Sequence, residues 1–283
     1  MIYPNQAQST AAVAAHYNEL DPFYREVWGE HVHHGYWITG RESAEDAAEA
    51  LVELVAQRLQ LSSGLEVCDI GCGYGATAQR LAERNGLRMT GLTISAAQAQ
   101  LASARRPTRG HLTILEQDWL ANGFADASFD RAYSVESSEH MPDKQRFFDE
   151  AFRVLRPGGL LVVCAWLARD QPRPWEVSHL LEPICREGRL PSLGDEADYR
   201  GLARQAGFDP LTMEDISERV RRTWQICIRR GVGKIISQRR YRQFILDGSA
   251  GNRIFAVTLL RMMAAFGTRS LRYGLFVFLK PAA

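Results

Sequence analysis

VCDIGCGYGATAQRLAE, residues Val67 to Glu83, starts as an apolar strand, turns through Gly71, Gly73 and Gly75, and leaves with helical composition. Working outward, Ala44 to Leu59 carries apolar residues at three- and four-residue intervals and reads as an amphipathic helix leading into a strand at Leu65 to Ile70. Further strands are expected at Arg88 to Ile94, Leu112 to Gln117, Phe129 to Val135 and Leu160 to Trp166, with helices near Ala96 to Arg105 and Lys144 to Leu155. Such alternation predicts a parallel sheet covered on both faces. Gly158 and Gly159, after Arg156 and Pro157, read as the turn that releases a helix into the next strand.

The spacing of the glycines bears on what the turn binds. A dinucleotide site uses G-x-G-x-x-G to seat a pyrophosphate, with an acid ending the second strand. Here the pattern is G-x-G-x-G, Asp69 stands two residues before the first glycine, and the second strand ends in Gly91, Leu92 and Thr93. A cofactor without a pyrophosphate is therefore favoured. S-adenosylmethionine (SAM) fits, its ammonium facing Asp69 and its adenosine lying beyond the glycine turn. Asp118 follows the third strand, where a carboxylate can meet an exocyclic amine while Trp119 covers the ring.

With these residues in view, the chain resembles the class I SAM-dependent methyltransferases, and within them the γ-tocopherol and sterol C-methyltransferase-like group. The resemblance covers nearly the whole chain and rests on HVHHGYW (31–37), DIGCGYG (69–75), GLTIS (91–95), QDWL (117–120), VESSEHMPDK (135–144) and LRPGG (155–159). It implies a Rossmann-like, mostly parallel seven-stranded sheet. It also implies cofactor contacts from Asp69, Gly71 and Gly73, from Thr93, Ile94 and Gln98, from Asp118 and Trp119, and from Tyr17 at the carboxylate end. Many relatives place an acid for the ribose where this chain has Thr93, so ribose binding is expected to rest on Thr93 and Gln98.

Glu136, Glu139 and His140 follow the fourth strand, at the same carboxyl edge as Asp69, and are the expected catalytic acids and bases, Glu136 first. The aromatic and histidine-rich stretch before the core reads as a cap over the site, with His34, Tyr36 and Trp37 toward the acceptor. On an extended chain His31 and His33 share one face and His34 the other, which argues against a shared metal. Trp224 lies on a helix expected to join a lid for a lipophilic substrate. The expected organisation is a cap over 1–43, the SAM-binding core over 44–168, a lid insertion over 169–206, and core strands with a substrate-lid helix over 207–283.

Methyl transfer from a sulfonium needs mainly positioning in a dry pocket. An alkene or electron-rich ring develops a cation that needs a carboxylate or aromatic wall, and Glu136, Glu139, Tyr17, Tyr36 and Trp37 supply one, which favours C-methylation of an isoprenoid or aromatic acceptor. The alternatives are N- or O-methylation of an aromatic natural product, C-methylation of a prenyl diphosphate with Mg²⁺, and a SAM-binding protein without catalysis.

The 283 residues carry 34 basic and 33 acidic side chains, a formal charge of +1, which gives no reason to expect nucleic acid. Nine Lys or Arg and no acid lie between Arg219 and Gln243, read as a solvated helix face, a contact for an anionic membrane, or a site for a phosphorylated substrate. The five scattered cysteines imply reduced thiols, and neither a signal peptide nor a membrane-spanning run is seen, so a cytoplasmic location is expected. The oligomeric state is left open.

Overall fold

In the computed structural model, which describes residues 1–246 and 255–282, the central element is a seven-stranded sheet of order β3-β2-β1-β4-β5-β7-β6. The strands are β1 (Glu66–Ile70), β2 (Arg88–Thr93), β3 (His111–Glu116), β4 (Phe129–Val135), β5 (Leu155–Ala168), β6 (Asp209–Asp215) and β7 (Leu271–Leu279). Six run parallel, and β7 enters antiparallel between β5 and β6. The helices are α1 (Thr10–Val27), α2 (Ala44–Leu59), α3 (Ala76–Asn85), α4 (Ala96–Ala102), α5 (Lys144–Val154), α6 (Pro174–Glu176), α7 (Glu182–Glu187), α8 (Glu196–Ala206), α9 (Ser217–Val220), α10 (Arg222–Ser237), α11 (Arg239–Leu246) and α12 (Phe255–Gly267). A π turn at Val177–Leu181 joins α6 to α7. The last segment, 207–283, was expected as one unit; within it 247–254 and residue 283 lie outside the described residues.

Side chains alternate across each strand, so the continuous apolar runs divide between two cores. Leu160, Val162 and Cys164 of β5 join Leu51, Val55 and Leu59 of α2 on one face. Leu161, Val163 and Ala165 join Phe147 and Phe148 of α5 on the other. The first core continues into α7, α10 and α12, so the lid helices are extensions of one face of the sheet.

Two expectations change here. The glycines after Arg156 do not end a helix before a separate strand: β5 already pairs with β4 at Leu155 opposite Phe129, and the register shifts before Leu160 pairs with Arg131. Gly158 takes a φ of +76° within that irregularity, a bulge where a turn was expected. The insertion expected through residue 206 also closes earlier. Helix α8 packs on α5 with Tyr199 fully buried against Phe148 and stacked on Phe276, so it is a core helix between β5 and β6.

The chain runs from β1 through β2 to β3 on one side and then returns to β4 on the other, so the order reverses between β1 and β4. Open α/β sheets bind ligands outside the strand ends at such a reversal. Gly71, just past β1, has φ +84°, and a Cβ there would lie 2.3 Å from the Cβ of Ser137, just past β4. Only glycine lets the two strand ends approach this closely.

Candidate active site

The crevice beyond β1 and β4 encloses about 760 Å³ of empty space, part of it open to solvent. Of the nine expected cofactor residues, Tyr17, Gly71, Gly73, Thr93, Ile94, Gln98, Asp118 and Trp119 line it. Asp69 lines a smaller recess that shares Gly71 and Gly73 with the crevice. Its carboxylate is 3% exposed and accepts a 2.7 Å hydrogen bond from the Tyr133 hydroxyl. Burial raises its pKa to about 7, against the lowering effect of that bond. A carboxylate so poorly solvated is a ready seat for an ammonium group, which would favour its ionised form.

The Thr93 hydroxyl donates to Gln98 Oε1 at 2.8 Å, which joins the two residues expected at the ribose. Asp118 Oδ1 accepts from the Leu120 N–H at 2.9 Å and caps the short turn Trp119–Ala121, so its role is at least partly local. Trp119 differs from expectation. Its indole is 2% exposed, donates from Nε1 to the Phe147 carbonyl at 3.2 Å and belongs to the core, so the ring does not stack openly over the crevice.

A second cavity of about 560 Å³ adjoins the first and shares four residues with it: Tyr17, Val32, Glu136 and His140. The rest of its wall is largely apolar and aromatic, including Tyr24, Trp28, Trp166, Ile184, Trp224 and Met262. The four shared residues therefore form the junction between the two cavities.

Glu136 stands at that junction in a left-handed conformation, φ +53°, which a non-glycine residue holds only when its surroundings fix it. Its Oε1 accepts from the His34 N–H at 2.6 Å and the Tyr273 hydroxyl at 2.9 Å. Its Oε2 accepts from His34 Nδ1 at 2.9 Å and Trp166 Nε1 at 3.1 Å. Burial opposes ionisation, but the charge and hydrogen bonds of His34 outweigh it, and the pKa falls below the usual carboxylate range. With four donors on two oxygens, Glu136 is a fixed negative charge rather than an available proton acceptor. Glu136→Gln, which turns one acceptor into a donor facing these groups, is expected to cost about 2 to 4 kcal/mol of stability in denaturant unfolding. An unchanged unfolding midpoint and slope would show that the four donors do not need the charge.

His140 has the more available acceptor atom. Its Nδ1 lies 3.4 Å from the Arg189 carbonyl, which can only accept, so Nδ1 carries the proton and the Tyr17 hydroxyl donates to Nε2 at 2.9 Å. Burial, with His16 nearby, lowers its pKa to about 3, so the ring stays neutral at physiological pH.

Other expected residues sit behind the site. Glu139 lines neither cavity: its Oε1 accepts from the Trp166 N–H at 2.6 Å, and burial raises its pKa to about 7. It positions Trp166, whose indole reaches Glu136. His34 is fully buried, packs on Trp224 and holds Glu136, but lines neither cavity. Tyr36 and Trp37, expected toward the acceptor, do not reach the second cavity either; their backbones bond Ala47 and Arg219, and the Trp37 indole donates to the Glu42 carbonyl. His31 and His33 both bond Thr77, while His34 turns the other way, as alternation requires. Sequence reasoning missed Tyr24, Trp28 and Trp166 as cavity residues. Tyr17, Tyr24 and Trp28 recur at helical spacing along α1, and Trp166 continues the inward series Leu160, Val162, Cys164 in β5, so the signals were present.

The sequence matches the model of the family described as mycolic acid cyclopropane synthetase over residues 5–230. The chain belongs to that family, within the SAM-dependent methyltransferases. Over 269 residues this methyltransferase is 32% identical to 27-O-demethylrifamycin SV methyltransferase of Amycolatopsis mediterranei (strain S699), covering 94% of this chain and 95% of that one. It is 31% identical to the chloroplastic tocopherol O-methyltransferase of Arabidopsis thaliana, covering 77% of this chain and 68% of the relative. Among solved structures it is similar to the [4+2]-cyclase SpnF, with a TM-score of 0.80, 26% identity and full coverage of both chains. The residues of the methyltransferase fit SAM: Asp69 would face its ammonium, the open space at Gly73 leaves room for the ligand against the backbone, and Thr93 with Gln98 would meet the ribose.

Proposed function

We propose that the protein transfers the methyl group of SAM to a hydroxyl oxygen on a largely apolar molecule, with His140 taking the hydroxyl proton. The observation that carries this reading is the Tyr17–His140 hydrogen bond at the junction of the two cavities. When bound, SAM supplies an electrophilic methyl and a neutral leaving group. The chain supplies the rest. Trp28, Trp166, Trp224 and Met262 hold the acceptor by its apolar surface and exclude water. The acceptor oxygen loses its proton to His140 Nε2, directly in place of Tyr17 or through the Tyr17 hydroxyl, which passes on its own proton as it accepts one. Glu136, ionised and immobile, stabilises positive charge at the junction. Relatives named for methylation at oxygen, of tocopherol and of a demethylrifamycin, support an oxygen acceptor.

C-methylation is the second reading, favoured by the ionised Glu136 among the indoles of Trp28, Trp166 and Trp224, a wall suited to a developing carbocation. Incubation with methyl-labelled SAM and a panel of lipophilic phenols, alcohols, alkenes and prenyl diphosphates separates them by product fragmentation. An O-methyl product with stoichiometric S-adenosylhomocysteine is expected. A label on carbon would select the second reading, and conversion to an isomer of unchanged mass would overturn both.

A further inference from the structure

The helices α10 and α12 line the second cavity from the inside, through Trp224, Thr258 and Met262, and α11 packs on α10. Their outside is unusual in two independent respects. Val232, Ile236, Leu246, Val257, Leu260 and Met263 are each between 41% and 81% exposed, six of the ten large apolar side chains so exposed among the described residues. On α12, Val257, Leu260 and Met263 recur at three-residue intervals and form an outward apolar stripe. The same stretch, residues 222–267, carries nine Arg or Lys and one acid, a net +8 in a chain whose total is +1.

Part of this charge is used internally, since Arg230 pairs with Glu45, Lys234 and Arg240 with Glu26, and Arg261 with Glu187. Arg222, Arg229, Arg239 and Arg242 make no ion pair among the described residues, and all four are exposed. Uncompensated arginines beside exposed aliphatic side chains match the two layers of an anionic lipid surface, phosphate above and hydrocarbon below. A second copy of the chain would bring like charges together. A nucleic acid would leave the apolar stripe without a partner. No described helix is long and apolar enough to cross a membrane, which limits the contact to the interface.

We propose that the α10–α12 face docks on an anionic lipid bilayer and sets the acceptor cavity beside it, so that the apolar acceptor is drawn from, or returned to, the lipid phase. The docking stands independently of which atom is methylated, because it needs neither acceptor nor turnover.

The test is co-sedimentation of the full chain with phosphatidylcholine vesicles and with vesicles that also contain phosphatidylglycerol, at low and high salt. Binding to the anionic vesicles is expected to exceed that to the neutral ones at least tenfold and to fall with salt. Replacing Arg229 and Arg239 together by Ser should weaken it about twenty-five-fold, at about fivefold per arginine. Leu260→Asp should weaken it comparably while circular dichroism and SAM affinity stay unchanged, which shows that these exposed variants fold. Equal binding to both vesicle types, no binding to either, or a concentration-dependent dimer that Leu260→Asp abolishes in light scattering would overturn the proposal.

Discussion

His140→Ala is expected to lower the single-turnover rate of methyl transfer about 10²- to 10⁴-fold while SAM affinity stays within about twofold. The range is that for removal of a general base, and the selectivity follows from position. His140 lies where the two cavities meet and does not line the recess that holds Asp69, and its carbonyl-bound Nδ1 fixes the tautomer in which Nε2 is the acceptor. Tyr17→Phe removes the relay but leaves the imidazole, so a smaller loss is expected. Because the pKa of His140 is lowered to about 3, its protonation should leave no inflection in the rate near neutrality. If His140→Ala keeps near-native turnover with SAM saturating, the imidazole is wall and not base.

Asp69→Asn is expected to weaken SAM binding roughly 10- to 150-fold, the effect of losing a bond to a charged group worth about 1.5 to 3 kcal/mol. It should also remove a pH dependence. Burial raises the pKa of Asp69 to about 7 in the empty protein, whereas the bound ammonium requires the carboxylate. The raised pKa means that the proton is bound below that pH and must be released when the cofactor enters. Affinity should therefore be greatest just above neutrality, where carboxylate and ammonium are both charged, and fall as pH drops through 7, by about tenfold one unit below. Calorimetry near neutrality in buffers of different ionisation enthalpy would register the released proton. A wild-type affinity that is flat between mildly acid and mildly alkaline pH would mean that Asp69 is already ionised without its ligand.

The parts of this structure legible in the sequence are those governed by local periodicity. The strand Phe129–Val135 and the helix Ala44–Leu59 were read to the residue, because each is an uninterrupted run with one period. The strand β5 was read two residues short at its end and five at its start, the latter since Gly158 and Gly159 signal a turn equally well whether the ladder stops there or only bulges. The glycine spacing and Asp69 pointed to the cofactor because a close backbone approach leaves a mark in residue type. What a side chain at a strand end faces leaves no such mark. Glu136 and Glu139 are indistinguishable in the sequence, yet one meets four donors at the junction and the other binds the backbone of Trp166 behind it. Trp119 and Asp118 belong to the same short turn, and only the packing of Phe147 decides that the indole goes inward. The cap residues Tyr36 and Trp37 share their aromatic character with Tyr24 and Trp28, which do reach the cavity, because α1 lays its buried face over the sheet edge while the following stretch runs back against α2.

Helix α1 contributes Tyr17 to both cavities, Val13 to the first, and Tyr24 to the second. It is also fastened near its middle, by Asn18 to Ser95, and at its C-terminal end, by Glu26 to Lys234, Arg240 and Tyr241 of α10 and α11. One rod thus serves as a wall of two rooms. To the extent that settling this helix is part of either binding event, the two ligands share its entropic cost, and the first to arrive bears it for both. The second then binds tighter, and by reciprocity each ligand raises the affinity of the other by the same factor. A wall common to both cavities leads us to expect the cofactor and the acceptor to be heterotropic effectors of one another, with α1 as the element that couples them.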